Sequence, residues 1–229
     1  MLKYLKRFNI LGNIINFFAF ILFLIALYFL FTRGVLHFLG LLIFSLVLLT
    51  PRIIYSKINS ENQIFHPETL TRVEVLVTSA IIINVLGYLW LFDKGFYYFI
   101  EYDTFVHFVA PICITLTLTI LLLIYYNFKN KKVNKTKFVL NLAIITAIYT
   151  LFWEIFEYLM DIIFHVGLFG QEGQPLDTFY DVTADLLSIP VVSVIIYKYF
   201  DYLTPRFSKI KNFVKIYKDD FKRFKDKIS

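Results

Sequence analysis

The sequence contains little cysteine and little glycine, and both shortages exclude common kinds of functional site. Its single cysteine, Cys113, lies within an apolar run, so the chain has neither a disulfide framework nor a paired-cysteine metal motif. The 8 glycines form no phosphate-binding loop, and neither a nucleophile elbow nor an HExxH motif is present. The sequence therefore gives no support to nucleotide-driven chemistry or to serine hydrolysis.

Charged residues are also scarce, at 17% of the chain, whereas hydrophobic residues make up 59% and aromatic residues 20%. This apolar share is well above that of an ordinary soluble domain. A chain of 229 residues cannot hide so much apolar surface inside a soluble fold, so we predict that lipid is its solvent. No cleavable signal peptide is expected, because the first apolar run is too long for one.

Six apolar segments are long enough, at about 20 residues each, to cross a bilayer as helices. Their approximate ranges are 11–31, 35–55, 73–92, 104–126, 138–164 and 178–200. They predict an all-α fold, in which residues 1–200 form a polytopic six-transmembrane-helix bundle. In this prediction Pro51 opens a polar loop, and Glu74 is solvated near the end of a helix.

The positive charges predict the orientation of this bundle. Lysines and arginines concentrate before the first helix, after the second and fourth helices, and in the C-terminal segment, whereas Arg33 and Lys94 alone fall in the other loops. Because basic loops stay in the cytoplasm, we predict cytoplasmic termini in a multi-pass protein of the inner or plasma membrane. Residues 201–229 are expected to form a basic amphipathic helix on anionic inner-leaflet lipids, or else a solvated tail. The net charge of +6 thus reflects topology and does not indicate a nucleic-acid partner.

Acidic residues are rare in the predicted helices except at the outer ends of the last three, where they recur at helical spacing. Steps of three and four place the acids of each helix on one face. The set consists of Asp103 with His107 in the fourth helix, Glu154, Glu157 and Asp161 in the fifth, and Asp177, Asp181 and Asp185 in the sixth. At 1.5 Å per residue, these acids form a ladder that reaches roughly 12 Å into the bilayer.

Such a ladder is costly unless something compensates its charge. An ionised side chain at membrane depth costs about 2.5–3.5 kcal/mol on insertion scales, and like charges cannot all stay ionised without a counter-charge. No lysine or arginine stands at a matching depth, so the pocket must contain protons, a cation, or water and ions from outside. Carboxylates with one imidazole suit a divalent metal ion such as Mg²⁺, Mn²⁺, Ca²⁺ or Zn²⁺. The candidate metal ligands are His107, Glu154, Glu157, Asp181 and Asp185.

Three functions are compatible with this pocket. The first is a metal-dependent enzyme that acts on a lipid or cell-envelope substrate from the outer face. Its candidate catalytic residues are His107, Glu154 and Asp181, and its supporting residues are Asp103, Asp161 and Asp177. The second is a cation or proton transporter that uses the same carboxylates. The third is a non-catalytic membrane scaffold, in which the acids are neutral and hydrogen-bonded to their neighbours.

The order of these acidic motifs resembles that of the YjdF-like family of bacterial inner-membrane proteins. The matching motifs are Asp103 to His107, Trp153-Glu154 to Glu157, a glycine-bearing loop that ends near Gly173, and Asp177-Thr178 to Asp181. The order is also similar, more loosely, to that of the VanZ-like proteins, which are associated with glycopeptide resistance. Both families tend to have asparagine where this chain has Asp185 and glycine where it has Ser188. The resemblance implies a small multi-helix membrane protein with clustered motif residues, and it implies no reaction.

Overall fold

The chain folds into α-helices throughout the part that the computed structural model describes. The described residues are 2–59, 67–87, 89, 102–129, 131–164 and 176–204. Within them lie α1 (Leu2–Thr32), α2 (Val35–Asn59), α3 (Pro67–Leu86), α4 (Tyr102–Phe128), α5 (Lys135–Phe164) and α6 (Asp177–Leu203). All six are long and apolar enough to cross a membrane, which confirms the predicted all-α polytopic fold.

Two helix boundaries differ from their predicted positions for identifiable reasons. Pro51 lies inside α2, which continues to Asn59, although a polar loop was expected to begin at this proline. A helix continues past proline more readily in an apolar environment, because the chain gains nothing there by exposing further backbone groups. The next helix begins at Pro67, well before residue 73, and has Glu68 in its first turn. Proline at the first helical position and an acid in the first turn both favour a helix start.

The described helices belong to two compact units. The first unit spans Met1–Val75 and contains α1, α2 and the beginning of α3, whereas the second spans Leu76–Thr204 and contains the rest of α3 with α4, α5 and α6. The predicted basic tail lies almost entirely outside the described residues, which end at residue 204. Its amphipathic helix and its lipid partners therefore stay predictions.

In the first unit α1 and α2 form a helical hairpin. Gly34 adopts a φ of +96° between them, a left-handed conformation that glycine accepts without steric cost. Buried alanines, Ala19 and Ala26, let the two helices approach closely. The Ser45 hydroxyl donates a hydrogen bond of 2.8 Å across this contact to the carbonyl oxygen of Ala19. Small residues and one satisfied polar group thus hold the hairpin together.

A buried ion pair joins α2 to α3 in the same unit. Arg52 donates from Nε to Oε1 of Glu74 at 2.7 Å and from a terminal nitrogen to Oε2 at 2.9 Å. Glu74 is only 1% exposed, so the expectation that it is solvated is wrong. Gly12 of α1 makes room for the pair, because a Cβ atom at this position would overlap the Arg52 guanidinium group. The glutamate is therefore buried together with a well-matched counter-charge.

In the second unit α6 packs against both α4 and α5. The acidic residues of these helices, except Asp201, lie at one end, here named the acid end, where α4 and α6 begin and α5 finishes. Lys135 and Lys198 mark the opposite end, here named the lysine end. There the Phe138 ring lies edge-on to Tyr126 at 6.0 Å and to Phe200 at 5.7 Å between centroids. This aromatic contact packs the three helices together at the lysine end.

Buried hydroxyl groups occupy the middle of the second unit. Thr115 and Thr146 share a hydrogen bond of 2.8 Å between α4 and α5. Thr146 donates its own proton to the Leu142 carbonyl oxygen, so Thr115 is the donor of the shared bond. The buried hydroxyls of Thr119 and Ser188 likewise donate to backbone carbonyls of their own helices. These polar groups are satisfied within the protein and need no external partner.

Candidate functional site

The centre of the acidic site is His107, which lies on α4 one turn after Asp103. The spacing of four residues places both side chains on the same face of the helix. This face is turned inward, since His107 is 5% exposed and the neighbouring Val106 and Ala110 are also buried. The imidazole is consequently held away from lipid and solvent, among the side chains of the other two helices.

Four carboxylates from three helices surround the imidazole, and both ring nitrogens have acidic neighbours. Nδ1 lies 3.4 Å from Oε1 of Glu154 on α5 and 3.5 Å from Oδ2 of Asp185 on α6. Nε2 lies 3.9 Å from Oδ1 of Asp103 and 3.9 Å from Oε1 of Glu157. One histidine thus contacts acids of α4, α5 and α6 at once. A single imidazole carries at most one positive charge, which cannot balance four carboxylates.

Several carboxylate oxygens at this site are buried but accept no hydrogen bond. Among the described residues, this is true of Oδ1 of Asp181, and Oε1 of Glu154 and Oδ2 of Asp185 have only Nδ1 of His107 near them, which can donate one proton at most. Asp181, Glu154 and Asp185 are 4%, 8% and 3% exposed, respectively. A buried carboxylate oxygen without a donor is costly, since burial removes its water and nothing in the protein replaces it. Such oxygens are the expected sign of a missing proton, water molecule or cation.

The spacing of the donor atoms is compatible with metal coordination. Two sets of three residues, Asp103–His107–Asp181 and His107–Glu154–Glu157, each offer one ligand atom per residue, and these atoms lie within 4.8 Å of one another. Ligands about 2.1–2.5 Å from an ion lie roughly 3.0–3.5 Å apart when adjacent and about 4.2–5 Å apart when opposite. The observed separations therefore fall in the range expected for donors around a common cation.

The structure brings together most of the residues that the sequence singles out. The five candidate metal ligands and Asp103 all contact His107 or belong to one of the two sets. Two supporting residues lie apart from these sets. Asp177 is buried at the first position of α6, and Asp161 is partly exposed in the last turn of α5. The assignment of ligand, catalytic and supporting roles stays a prediction.

The sequence pattern did not reveal the position of the imidazole. The helical spacing predicted which acids share a face, but it placed His107 only beside the middle of the ladder. In the structure His107 reaches both Glu157 and the deeper Glu154 and Asp185, so it joins two levels of the ladder. Such a position depends on how far α4 is shifted along its axis relative to α5 and α6, which residue periodicity within one helix does not report.

The comparisons with known proteins identify a family but no activity. A family model described as "Predicted membrane protein (DUF2238)" matches residues 13–202. This is the family of the YjdF-like proteins, so the resemblance to that family of membrane proteins is confirmed, whereas the resemblance to VanZ-like proteins stays a prediction. No curated protein matches the chain, and no solved structure matches it either.

Proposed function

Since the chain belongs to the DUF2238 family of predicted membrane proteins, whose description names no activity, we propose a function from the site itself. The protein acts as a metal-dependent membrane enzyme on a lipid or cell-envelope substrate. The observation that carries this proposal is the set of buried carboxylate oxygens around His107 that accept no hydrogen bond. A divalent cation would satisfy them and balance their charge at the same time.

The residues present fit a divalent cation in both number and chemistry. Glu154, Glu157, Asp181 and Asp185 supply oxygen ligands or a general base, and His107 supplies a nitrogen ligand or a proton shuttle. When bound, the ion would polarise a phosphoryl or carbonyl oxygen of a substrate, or activate water. Asp103 and the buried Asp177 would orient these groups from the first turns of α4 and α6.

An enzyme fits the second unit better than a transporter, because the polar lining of its core does not continue to the lysine end. Below the acids, the buried polar groups of the described residues are hydroxyls that all donate a hydrogen bond already, those of Thr115, Thr119, Thr146, Thr150 and Ser188. Beyond these hydroxyls the buried residues are apolar, and they include Leu123, Leu142, Val192 and Ile196. An ion that crossed this layer would lose its water without gaining protein ligands. Among the described residues of these three helices, no buried charged group therefore lies between the acids and the lysine end.

The orientation of the protein forms part of the proposal. Positively charged loops are retained in the cytoplasm, and Lys129, Lys131 and Lys132 follow α4 at the lysine end. The acid end then faces outward, and the protein resides in the inner or plasma membrane with cytoplasmic termini. A substrate of the outer leaflet or of the cell envelope would reach the acids from that side. Tagging of the loops and of both termini for protease accessibility would test this orientation.

The enzyme proposal is tested by a substitution that removes one ligand. Asp181→Ala is expressed alongside Asp201→Asn, which removes an exposed acid from the lysine end of the same helix. Lipids and envelope fractions of the cells are then compared by mass spectrometry. We expect a lipid or envelope component whose abundance changes when the wild-type protein or Asp201→Asn is expressed. The abundance of this component should not change when Asp181→Ala is expressed. The Asp181→Ala protein should also bind less metal than the wild type.

The two other functions give different results. A transporter would produce cation or proton flux in proteoliposomes, and Glu154→Gln would abolish that flux. A scaffold would tolerate neutral substitutions of all the acids around His107 with no change of phenotype. That last result would contradict the enzyme and the transporter alike.

A further inference from the structure

The ligand atoms around His107 fall into two sets that share only the imidazole. We name Asp103 and Asp181 the aspartate set, and Glu154 and Glu157 the glutamate set. Each set, taken with His107, has its ligand atoms within 4.8 Å of one another. The aspartates come from α4 and α6, whereas both glutamates come from α5. The site therefore offers two groups of donors on different helices.

The two ring nitrogens have separate acidic neighbours. The aspartate set approaches Nε2, where Oδ1 of Asp103 lies 3.9 Å away. Oε1 of Glu157 lies at the same distance of 3.9 Å from Nε2. Nδ1 instead faces Oε1 of Glu154 at 3.4 Å and Oδ2 of Asp185 at 3.5 Å, so the two glutamates face different nitrogens. The lone pairs of the two imidazole nitrogens point in different directions, so one ion cannot bind both. A single cation would therefore leave one nitrogen and its neighbouring carboxylates without a metal.

Each set also contains a buried oxygen that accepts no hydrogen bond among the described residues. In the aspartate set it is Oδ1 of Asp181, whose residue is 4% exposed, and in the glutamate set it is Oε1 of Glu154, whose residue is 8% exposed. Oδ2 of Asp185, which lies 3.5 Å from Nδ1, is a third such oxygen. Each set thus contains a buried carboxylate oxygen, and the described residues do not supply a donor to all of these oxygens.

The charges point to the same conclusion. The two sets and Asp185 together bring five carboxylates to one imidazole. Within the sequence of α4, α5 and α6, lysine occurs only near the lysine end and arginine does not occur. One divalent ion supplies two positive charges against these carboxylates, whereas two such ions supply four. Two ions therefore balance more of the negative charge than one does, even when His107 also loses its proton, and low-dielectric surroundings favour this.

We propose that the site binds two divalent cations, one on the Nε2 side with the aspartate set and Glu157 and one on the Nδ1 side with Glu154 and Asp185, and that His107 lies between them as a shared ligand. A ligand of both ions cannot keep its N–H proton, so this proton passes to water when the second ion binds. The inference rests on the proposed function, since it requires that the acids bind metal at all. It goes further because it predicts how many ions bind and which residues bind each ion.

The test is the stoichiometry of Zn²⁺ binding to the full-length chain in mild detergent. The protein is freed of metal with a chelator, dialysed to equilibrium against Zn²⁺, and analysed by inductively coupled plasma mass spectrometry. We expect two Zn²⁺ ions per wild-type chain. Asp103→Asn with Asp181→Asn should bind one, and Glu154→Gln with Asp185→Asn should also bind one. The control Asp201→Asn should bind two.

Each other outcome is decisive. A wild-type chain that binds one Zn²⁺ ion overturns the inference and leaves the proposed function standing. A wild-type chain that binds no Zn²⁺ contradicts both the inference and the proposed function. Two ions that persist in both double variants indicate zinc bound elsewhere on the chain, and this too overturns the inference. Because the wild-type stoichiometry needs no substitution, it decides between one ion and two even if a variant fails to fold.

Discussion

The protein buries acidic side chains in two ways, and the contrast between them separates a structural role from a functional one. In the first unit Glu74 is buried with a bidentate arginine, so both carboxylate oxygens receive a charged donor. In the second unit the carboxylates surround one imidazole at 3.4–3.9 Å, and several of their oxygens accept no hydrogen bond among the described residues. The first arrangement is complete without a ligand, and the second is not.

The contrast shows that burial alone does not mark a functional acid. Glu74 is less exposed than any of the acids near His107, yet its charge is already balanced within the protein. What distinguishes the His107 site is an excess of like charge with too few donors. Removing Arg52 from the first site should therefore lower the stability of the protein, whereas adding a cation to the His107 site should raise it.

The largest effect is expected from Arg52→Met, which leaves Glu74 buried and without its main counter-charge. Breaking a buried pair in this way costs about 3–5 kcal/mol of unfolding free energy. Unfolding in mild detergent, followed by circular dichroism, measures the loss. Arg52→Met combined with Glu74→Leu should recover much of the stability, because no uncompensated charge is then left. If Arg52→Met alone unfolds like the wild type, the ion pair between Arg52 and Glu74 does not stabilise the fold.

A smaller stabilisation is expected when a divalent cation binds the His107 site. A cation at 100 times its Kd should raise the unfolding free energy by about 2.7 kcal/mol, because it binds the folded state alone. The double variant Glu157→Gln, Asp181→Asn should show a smaller increase, because two carboxylates of the site are neutralised, and Arg52 variants should keep the full increase. Titration of Zn²⁺ or Mn²⁺ into metal-free protein during thermal unfolding provides the measurement. An equal increase in the double variant would place the binding elsewhere.

Gly12→Ala should destabilise the first unit by about 1–3 kcal/mol, the usual cost of overpacking. Its Cβ atom would displace the guanidinium group of Arg52 and so disturb the ion pair with Glu74. Gly40→Ala is the matched control, since a Cβ atom there meets nothing within 4 Å. The two alanine variants are compared by denaturant unfolding. Equal stability of the two would show that Arg52 has room to move.

The smallest effect is expected from Glu154→Gln in metal-free protein. This change removes one negative charge from a group of like charges, so the unfolding free energy should change by less than the ~1 kcal/mol typical of a point substitution, or even rise. Glu74→Gln is the comparison, and it should lower stability because a charged hydrogen bond to Arg52 is weakened. A large loss of stability in Glu154→Gln would mean that its contact with His107 is structural.

The sequence alone predicted the fold class and which acidic residues share a helix face, for a simple physical reason. Runs of apolar residues report the surrounding solvent, and a spacing of three or four residues reports a helix face, so both are properties of one segment. The same reasoning explains why Glu154 and Glu157 were recognised together. These features require no knowledge of how one helix lies against another.

Features that join different helices could not be predicted in this way. Glu74 was expected to be solvated because its partner, Arg52, stands 22 positions earlier on another helix. The two-sided position of His107 likewise depends on the axial positions of α4, α5 and α6. Pro51 was misassigned because a rule for helix ends in water was applied to a helix in an apolar environment.

The central claim, that the acids around His107 form a cation site, is tested most directly by the metal content of protein purified in mild detergent without chelator. The double variant Glu157→Gln, Asp181→Asn is purified in parallel. We expect at least one divalent ion per wild-type chain and less metal in the variant. If neither protein contains metal, and neither takes up Mg²⁺, Mn²⁺, Ca²⁺ or Zn²⁺ on dialysis, the carboxylates are balanced by protons or water and the claim is wrong.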